Sequence, residues 1–197
     1  MAPEYVFFAP DSLTFAVANQ NGEKVSLWHT DGTSAGSLDE QDGTTSVAFS
    51  PDGRFIATGT NDSFLVHLWN SQDLSLIYRW QGHVDTITQL AFSPDGNLLA
   101  STANDHALMV WDTSDGRLLY NIPDAHKKEV NSIVFSPDGQ ILASADGQII
   151  LRLARDGSLL NALPGHIGVT TKLLFSSDGT ILISGGTDGL IRIWGVR

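Results

Sequence analysis

Short apolar stretches separated by polar turns run along the whole chain. Several stretches alternate with the period of two that a strand with two unlike faces requires, as in residues 108–111 (LMVW) and 191–194 (IRIW). No segment sustains the 3.6-residue periodicity of an amphipathic helix. The pattern therefore predicts an all-β protein with essentially no helix.

A recurring turn motif divides the chain into five units. Phe-Ser-Pro-Asp-Gly occurs at residues 49–53, 92–96 and 135–139, a variant with a second serine at 175–179, and a degraded copy at 8–12. The phenylalanines follow one another after 41, 43, 43 and 40 residues, a period typical of propeller blades. Proline presets φ and glycine tolerates positive φ, so each motif predicts a tight turn between two strands.

Each unit supplies four short strands, which predict one antiparallel blade. The first strand ends at the phenylalanine, the second follows the turn, the third ends in tryptophan in four units, and the fourth follows another turn. No linker separates the units, so residues 1–197 are predicted to form one domain. The predicted blades span about 4–38, 39–80, 81–122, 123–163 and 164–197, the last with three strands.

The third unit carries a set of polar residues that resembles the WD-repeat family. A Gly-His pair ending at His83 precedes its first strand, Ser101 ends its second, Asp105 lies in the next turn, and a Trp-Asp pair begins at Trp111. The resemblance covers the whole chain and implies a WD-repeat β-propeller. It also implies that the four side chains form a buried hydrogen-bonded tetrad that locks the blade.

The other units carry this set with different completeness. The fifth is complete, the second lacks the histidine, and the first keeps only the tryptophan. The fourth lacks the tryptophan, and its third-strand register leaves either Arg152 or Ala154 at that position. We interpret His29, His67 and His106 as surface or turn residues. The members outside the third unit are Trp28, then Thr58, Asp62 and Trp69, then His126, Ser144 and Asp146, then His166, Ser184, Asp188 and Trp194.

Serine, histidine and aspartate in one set invite comparison with a catalytic triad or a metal site. A triad needs one exposed nucleophile beside a cleft, whereas this set recurs at the same place in several units, as a structural device does. His83, His126 and His166 lie 43 and 40 residues apart on separate blades, which does not match the short ligand spacings of zinc sites. We therefore expect no catalytic residue, no cofactor and no metal site.

Net charge and composition indicate which classes of binding partner and which compartment to expect. The formal net charge of −11 opposes binding to phosphate backbones, which depends on lysine and arginine, so no nucleic acid partner is expected. The absence of cysteine favours a reducing compartment. No apolar run approaches the roughly 18 residues needed to cross a bilayer. The sequence therefore predicts a cytoplasmic protein without a membrane partner.

The resemblance implies a non-catalytic scaffold or regulatory module that presents blade loops to a protein or peptide partner. Lys127 and Lys128 form the only adjacent basic pair of this acidic chain, and both a solvated loop and a contact for an acidic peptide stay open for them. The candidate contacts lie in loops before first strands and in turns before the tetrad aspartates: Asn61, Asp85, Asn104, Lys127, Lys128 and Thr187.

Two other functions stay open at this stage. A propeller enzyme or a periplasmic propeller also carries repeated Ser-Pro-Asp-Gly, but it is expected to lack the Gly-His and Trp-Asp pairs. Alternatively, the chain is an inactive fragment of a larger multidomain signalling protein.

The number of blades and the two ends of the sequence favour an open or incomplete ring. About four residues precede the first predicted strand and three follow Trp194, so neither end provides a fourth strand for the last blade. An open arc is favoured over a strained five-bladed ring and over closure by a second copy. Its open blade edges would then permit self-association.

Overall fold

The computed structural model describes residues 5–18, 24–40 and 42–196, which form five antiparallel sheets and no helix. Accordingly, no helix in this part of the chain is long and apolar enough to cross a membrane. Four sheets have four strands and the last has three, so the predicted all-β propeller class is confirmed. The outermost predicted blade limits, residues 4 and 197, lie outside the described residues.

Each blade is built from consecutive strands in chain order. Blade 1 contains β1 (Tyr5–Phe8), β2 (Thr14–Ala18), β3 (Val25–His29) and β4 (Ser34–Leu38). Blade 2 contains β5 (Thr44–Phe49), β6 (Phe55–Thr60), β7 (Val66–Asn70) and β8 (Leu76–Trp80). Blade 3 contains β9 (Ile87–Phe92), β10 (Leu98–Ala103), β11 (Leu108–Asp112) and β12 (Leu118–Ile122). Blade 4 contains β13 (Ser132–Phe135), β14 (Ile141–Ala145), β15 (Ile149–Leu153) and β16 (Leu159–Leu163), and blade 5 contains β17 (Thr170–Phe175), β18 (Ile181–Gly186) and β19 (Ile191–Gly195).

The turns between first and second strands share one geometry. In blade 3, the Gly96 amide donates to the Ser93 carbonyl at 2.9 Å, and the Ser93 hydroxyl oxygen accepts from the Leu98 amide at 2.9 Å. Gly96 has φ of +72°, a left-handed conformation that is costly for a residue with a Cβ. The corresponding glycines, with φ between +70° and +72°, are Gly53, Gly139 and Gly179.

Successive blades pack face to face, with their first strands side by side. We call the face toward the next blade in the chain the forward face, and the opposite one the rear face. On the forward face of blade 3, Ala100, Leu108 and Val110 pack against Ile133 and Phe135 on the rear face of blade 4. Buried clusters of this kind join blades 1 and 2, 2 and 3, 3 and 4, and 4 and 5.

The two outermost faces of the array are open. Among the described residues, no buried cluster joins blade 5 to blade 1. Ile191 and Ile193 on the forward face of blade 5 are 76% and 70% exposed, and Val6 and Phe8 on the rear face of blade 1 are exposed as well. The array is an open arc, as the sequence predicted.

Candidate functional site

The tetrad residues of blade 3 lie in hydrogen-bonding contact. Trp111 Nε1 donates to Ser101 Oγ at 3.0 Å, Ser101 Oγ lies 2.9 Å from His83 Nε2, and His83 Nδ1 lies 3.0 Å from Asp105 Oδ2. The Asp105 carboxylate can only accept, so His83 Nδ1 carries the proton and donates it to the carboxylate, and Nε2 accepts the proton of Ser101. One connected chain of hydrogen bonds therefore runs from strand β11 to the loops.

Asp105 ties two loops of blade 3 together. Besides His83, it accepts hydrogen bonds from the backbone amides of Val84, in the loop leading to β9, and Ala107, in the turn after β10, both at 2.9 Å. Burial alone would raise the pKa of Asp105, but these hydrogen bonds outweigh it and lower the pKa to about 2. The carboxylate thus stays ionised and fixes both loops.

Blade 5 repeats this arrangement. His166 lies 2.8 Å from Asp188 through Nδ1 and 2.8 Å from Ser184 through Nε2, and Trp194 Nε1 donates to Ser184 Oγ at 3.0 Å. Burial opposes ionisation of Asp188, yet the hydrogen bonds from His166 and from backbone amides lower its pKa to about 2.

The set in blade 4 is looser. His126 Nε2 lies 2.8 Å from Ser144 Oγ, whereas its Nδ1 lies 3.4 Å from Asp146, at the limit of a useful hydrogen bond. Burial lowers the pKa of His126, and the nearby Asp146 only partly opposes this effect.

Arg152 occupies the tryptophan position of blade 4, which settles the open register. Arg152 lies opposite Leu142 on β14, just as Trp111 lies opposite Leu99 on β10. Ala154 falls beyond β15 and does not take this place. Without the indole, Ser144 lacks the donor that holds the hydroxyl in the other sets.

In blade 2, a glutamate takes the place of the tetrad histidine, which the sequence did not predict. Glu40, only 1% exposed, accepts a hydrogen bond from Thr58 Oγ1 at 2.7 Å and lies 2.9 Å from His67 Nδ1. Trp69 Nε1 donates to Thr58 Oγ1 at 3.0 Å. Asp62, which the family pattern predicted as a member, is exposed and lies outside this network.

The interpretation of His67 as a surface or turn residue is wrong. It lies on β7 and is 6% exposed, and its Nδ1 can donate to the buried carboxylate of Glu40. Spacing was the available signal: Glu40 precedes Thr58 by 18 residues, as His83 precedes Ser101.

Blade 1 retains the tryptophan, but none of its described residues places a hydroxyl where the other blades have one. Trp28 is exposed and lies opposite Phe15, and Val17 stands where the hydroxyl of the other blades would be. His29 is exposed at the end of β3, and His106 lies in a turn with φ of +66°.

The predicted contact residues gather at one end of the blades, which we call the loop face. There the Asn104 amide donates to the Thr86 carbonyl at 2.9 Å, and the Thr187 amide donates to the Val169 carbonyl at 2.9 Å. Each bond joins the loop before a first strand to the turn after a second strand. Of the predicted contacts, Lys127, Lys128 and Thr187 are exposed, and Asn61, Asp85 and Asn104 are half-buried.

A groove of about 370 Å³ opens on the loop face beside the basic pair. His106, Lys127, Lys128, Glu129 and Asn131 contribute to its walls, so blades 3 and 4 both border it. Neither lysine forms an ion pair with a described residue.

The buried sets offer no reactive group to solvent. Ser101 and Ser184 are fully buried, and each already accepts a hydrogen bond from an indole. In the described part of the chain, no three histidine, cysteine or acidic side chains are placed to hold a metal ion.

Sequence comparison agrees with this geometry. The family model described as "WD domain, G-beta repeat" matches residues 32–70, 74–112, 116–151 and 157–195. The chain belongs to the WD40 repeat family. A comparison with curated proteins gives no match.

The WD40 repeats are offset from the blades by one strand. The match at 74–112 begins with β8, the fourth strand of blade 2, and ends with β11, the third strand of blade 3. Each WD40 repeat therefore links two neighbouring blades. WD40 domains are typically non-catalytic modules that mediate contacts between proteins.

Proposed function

We propose that this WD40 array is a non-catalytic scaffold or regulatory module that binds a protein or peptide partner at its loop face. One observation carries the proposal: hydrogen bonds through Asp105 and Asp188 fix the exposed loops of blades 3 and 5. Loops held rigidly in advance lose little conformational freedom when a partner binds.

The chemistry of the loop face suits a peptide with both apolar and acidic side chains. Val84 and Ile167 are 75% and 84% exposed at the tips of loops, where they contribute little to the core. The groove between these blades is lined by Lys127 and Lys128 together with Glu129 and Asp146, and the two lysines are exposed. In an acidic molecule, this basic pair would favour an acidic partner segment locally.

A display library of random peptides, selected on the immobilised 197-residue chain, tests the proposal. The selected peptides are then titrated by fluorescence polarisation against Val84→Asp and Ile167→Asp. We expect each substitution to weaken binding by about tenfold or more, because the apolar contact is replaced by a charge that repels acidic residues.

Leu159→Asp is the matched control, since Leu159 is also exposed but lies on β16 near the opposite end of the blade. It should leave binding unchanged. Peptides that tolerate both loop substitutions but lose binding with Leu159→Asp would contradict the proposed site.

A further inference from the structure

A cavity of about 300 Å³ lies between blades 1 and 2, at the end of the blades opposite the loop face. We call this end the turn face, because the Pro-Asp turns lie there. Leu27 on the forward face of blade 1 and Phe49 and Ile56 on the rear face of blade 2 line the cavity. Ligand sites span roughly 300–1,000 Å³, so this cavity suits one side chain rather than an extended ligand.

A tyrosine of the fourth strand packs in the corresponding place of the next two interfaces. Tyr78 on β8 lies in the buried cluster between blades 2 and 3, and Tyr120 on β12 lies in the cluster between blades 3 and 4. Gly36 is the equivalent residue of blade 1, because it pairs with the same position of the third strand. Blade 1 therefore lacks the ring that fills this place in its neighbours.

Two further side chains on the forward face of blade 1 are small. Thr14 stands where blades 2 and 3 have Phe55 and Leu98, since each of these carbonyls accepts the same hydrogen bond of the turn motif. Ala35 stands where blade 3 has Leu119. Both small residues line the cavity, and both larger residues of blade 3 pack in its buried cluster.

Leu74 fills part of this space in a strained conformation. It has φ of +60° in the turn after β7, where blades 3 and 4 have Gly116 and Gly157. Its Cδ1 lies 2.6 Å from the place that a Cβ on Gly36 would occupy. Leu74 also lines the cavity, so its side chain narrows the space without closing it. Strained residues that shape a cavity are concentrated at binding sites.

The cavity offers the hydrogen-bond acceptor that a phenol needs. Tyr78 donates its hydroxyl proton to the Ser114 carbonyl at 3.1 Å, and Tyr120 donates to the Ala154 carbonyl at 2.8 Å. Both acceptors lie in the turn between the third and fourth strands of the following blade. The residues at these two positions of blade 2 line the cavity: Gln72 and Ser71. Within the described chain, no hydrogen bond reaches either of their carbonyls.

Charge at the mouth of the cavity favours a basic group beside the ring. Asp11 is exposed there, and it carries the only carboxylate among the described residues that line the cavity. Hydrogen bonds from the Leu13 and Thr14 amides lower the pKa of Asp11, so the carboxylate stays ionised near neutral pH. A lysine or arginine next to the bound side chain would be attracted to it.

We propose that this cavity binds a tyrosine side chain of a partner protein, in a segment where lysine or arginine flanks the tyrosine. The ring packs on Leu27 and Ile56, and the hydroxyl donates to a carbonyl of the turn between β7 and β8. Because the site lies on the turn face, it does not depend on binding at the loop face.

A titration of the 197-residue chain with short peptides, followed by two-dimensional NMR, tests the ligand. We expect acetyl-Lys-Tyr-Lys-amide to shift the amide signals of Ala35 and Gln72. The phenylalanine peptide should bind about threefold or more weakly, because it lacks the hydroxyl donor. The alanine peptide is the control and should leave these signals unchanged. Equal affinity for the tyrosine and alanine peptides would overturn the proposal.

Filling the cavity should remove this binding. Ala35→Leu introduces the side chain that Leu119 provides in blade 3, and it should weaken binding of the tyrosine peptide by about tenfold or more. Ala162→Leu is the matched control, since Ala162 is exposed on β16, the fourth strand of blade 4. Far-UV circular dichroism checks that both variants fold. Undiminished binding to folded Ala35→Leu would place the tyrosine elsewhere and refute the site.

The charge of Asp11 is tested separately. The unmodified chain should prefer the lysine-flanked peptide over acetyl-Glu-Tyr-Glu-amide, and Asp11→Asn should reduce this preference by about threefold or more. The same preference in both proteins would contradict the basic flank of the proposed ligand.

Discussion

Glu40 shows how a hydrogen-bonded set survives the loss of its histidine. In blade 3, the imidazole of His83 accepts the serine proton, and in blade 2 a carboxylate oxygen of Glu40 accepts the threonine proton instead. The bond from the indole to the hydroxyl is 3.0 Å in both blades. A buried carboxylate is costly without donors, and His67 supplies the second one.

Replacing Glu40 with alanine should therefore destabilise the protein. Thr58 and His67 would lose their partner in a buried site, which typically costs about 1–3 kcal/mol in the free energy of unfolding, measured by urea denaturation. Glu129→Ala, at an exposed position, should change it by less than about 0.5 kcal/mol. Equal effects of the two substitutions would contradict the role given to the network.

The tetrad aspartates predict how stability depends on acid. The folded-state pKa of Asp105 is lowered from 3.8 to about 2, so the unfolded chain binds more protons between these values. This contribution to stability is present above about pH 4 and is lost as the pH falls toward 2.

Asp105→Asn should thus flatten the fall of unfolding free energy between about pH 4 and pH 2, followed by urea denaturation at each pH. Asp115→Asn, an exposed aspartate on the same blade, serves as the control. If the free energy of unfolding of Asp105→Asn and of the unmodified chain fell in parallel with pH, Asp105 would not be the source of the acid sensitivity.

Residue type and spacing together decided which residues of the site were predictable. The partners of His83 followed from the family pattern, because each member is the expected residue type. Glu40 escaped notice because glutamate is not the residue expected at that position, and Asp62 was included by spacing although its partner histidine is missing. The 18-residue spacing to Thr58 marks the position of Glu40, but its pairing with His67 depends on how the strands lie together, which the sequence alone does not give.

At the level of elements, strands and turns were predictable because local chemistry determines them. The turn around Gly96 depends on one positive φ and on hydrogen bonds within six residues. The register of the third strand of blade 4 was ambiguous because local sequence does not determine it. Only its pairing with β14 places Arg152, rather than Ala154, in the tryptophan position.

Gly96→Ala should cost about 1 kcal/mol in the free energy of unfolding, because alanine is strained at φ of +72° while its Cβ would meet only ordinary contacts. Gly185→Ala is a suitable control: its φ is outside the left-handed region and its Cβ would lie 3.9 Å from the nearest atom. It should be neutral or slightly stabilising. Thermal denaturation of the two variants distinguishes the outcomes, and equal melting temperatures would disprove the turn argument.

At the scale of the whole molecule, the array has a protected middle and open ends. Blade 3 is covered on both faces by buried clusters, whereas blade 5 is covered on its rear face alone among the described residues. The sequence predicted the open arc from the blade count. It did not reveal which face of blade 5 is exposed, because Ile191 and Ile193 look like core residues until their neighbours are known.

Hydrogen exchange followed by mass spectrometry should show that blade 3 is better protected than blade 5. Amides of β10 should exchange most slowly and those of β18 and β19 faster, because a blade with one uncovered face opens more readily. Uniform protection across blades 3 and 5 would contradict the expectation.

The repetition of one packing scheme has an evolutionary consequence. Because the forward face of each internal blade offers similar aliphatic side chains to the rear face that follows, a duplicated unit would meet compatible neighbours on both sides. Recombination between copies of the motif that recurs every 40 to 43 residues could therefore lengthen or shorten the coding sequence by whole blades without creating a new core.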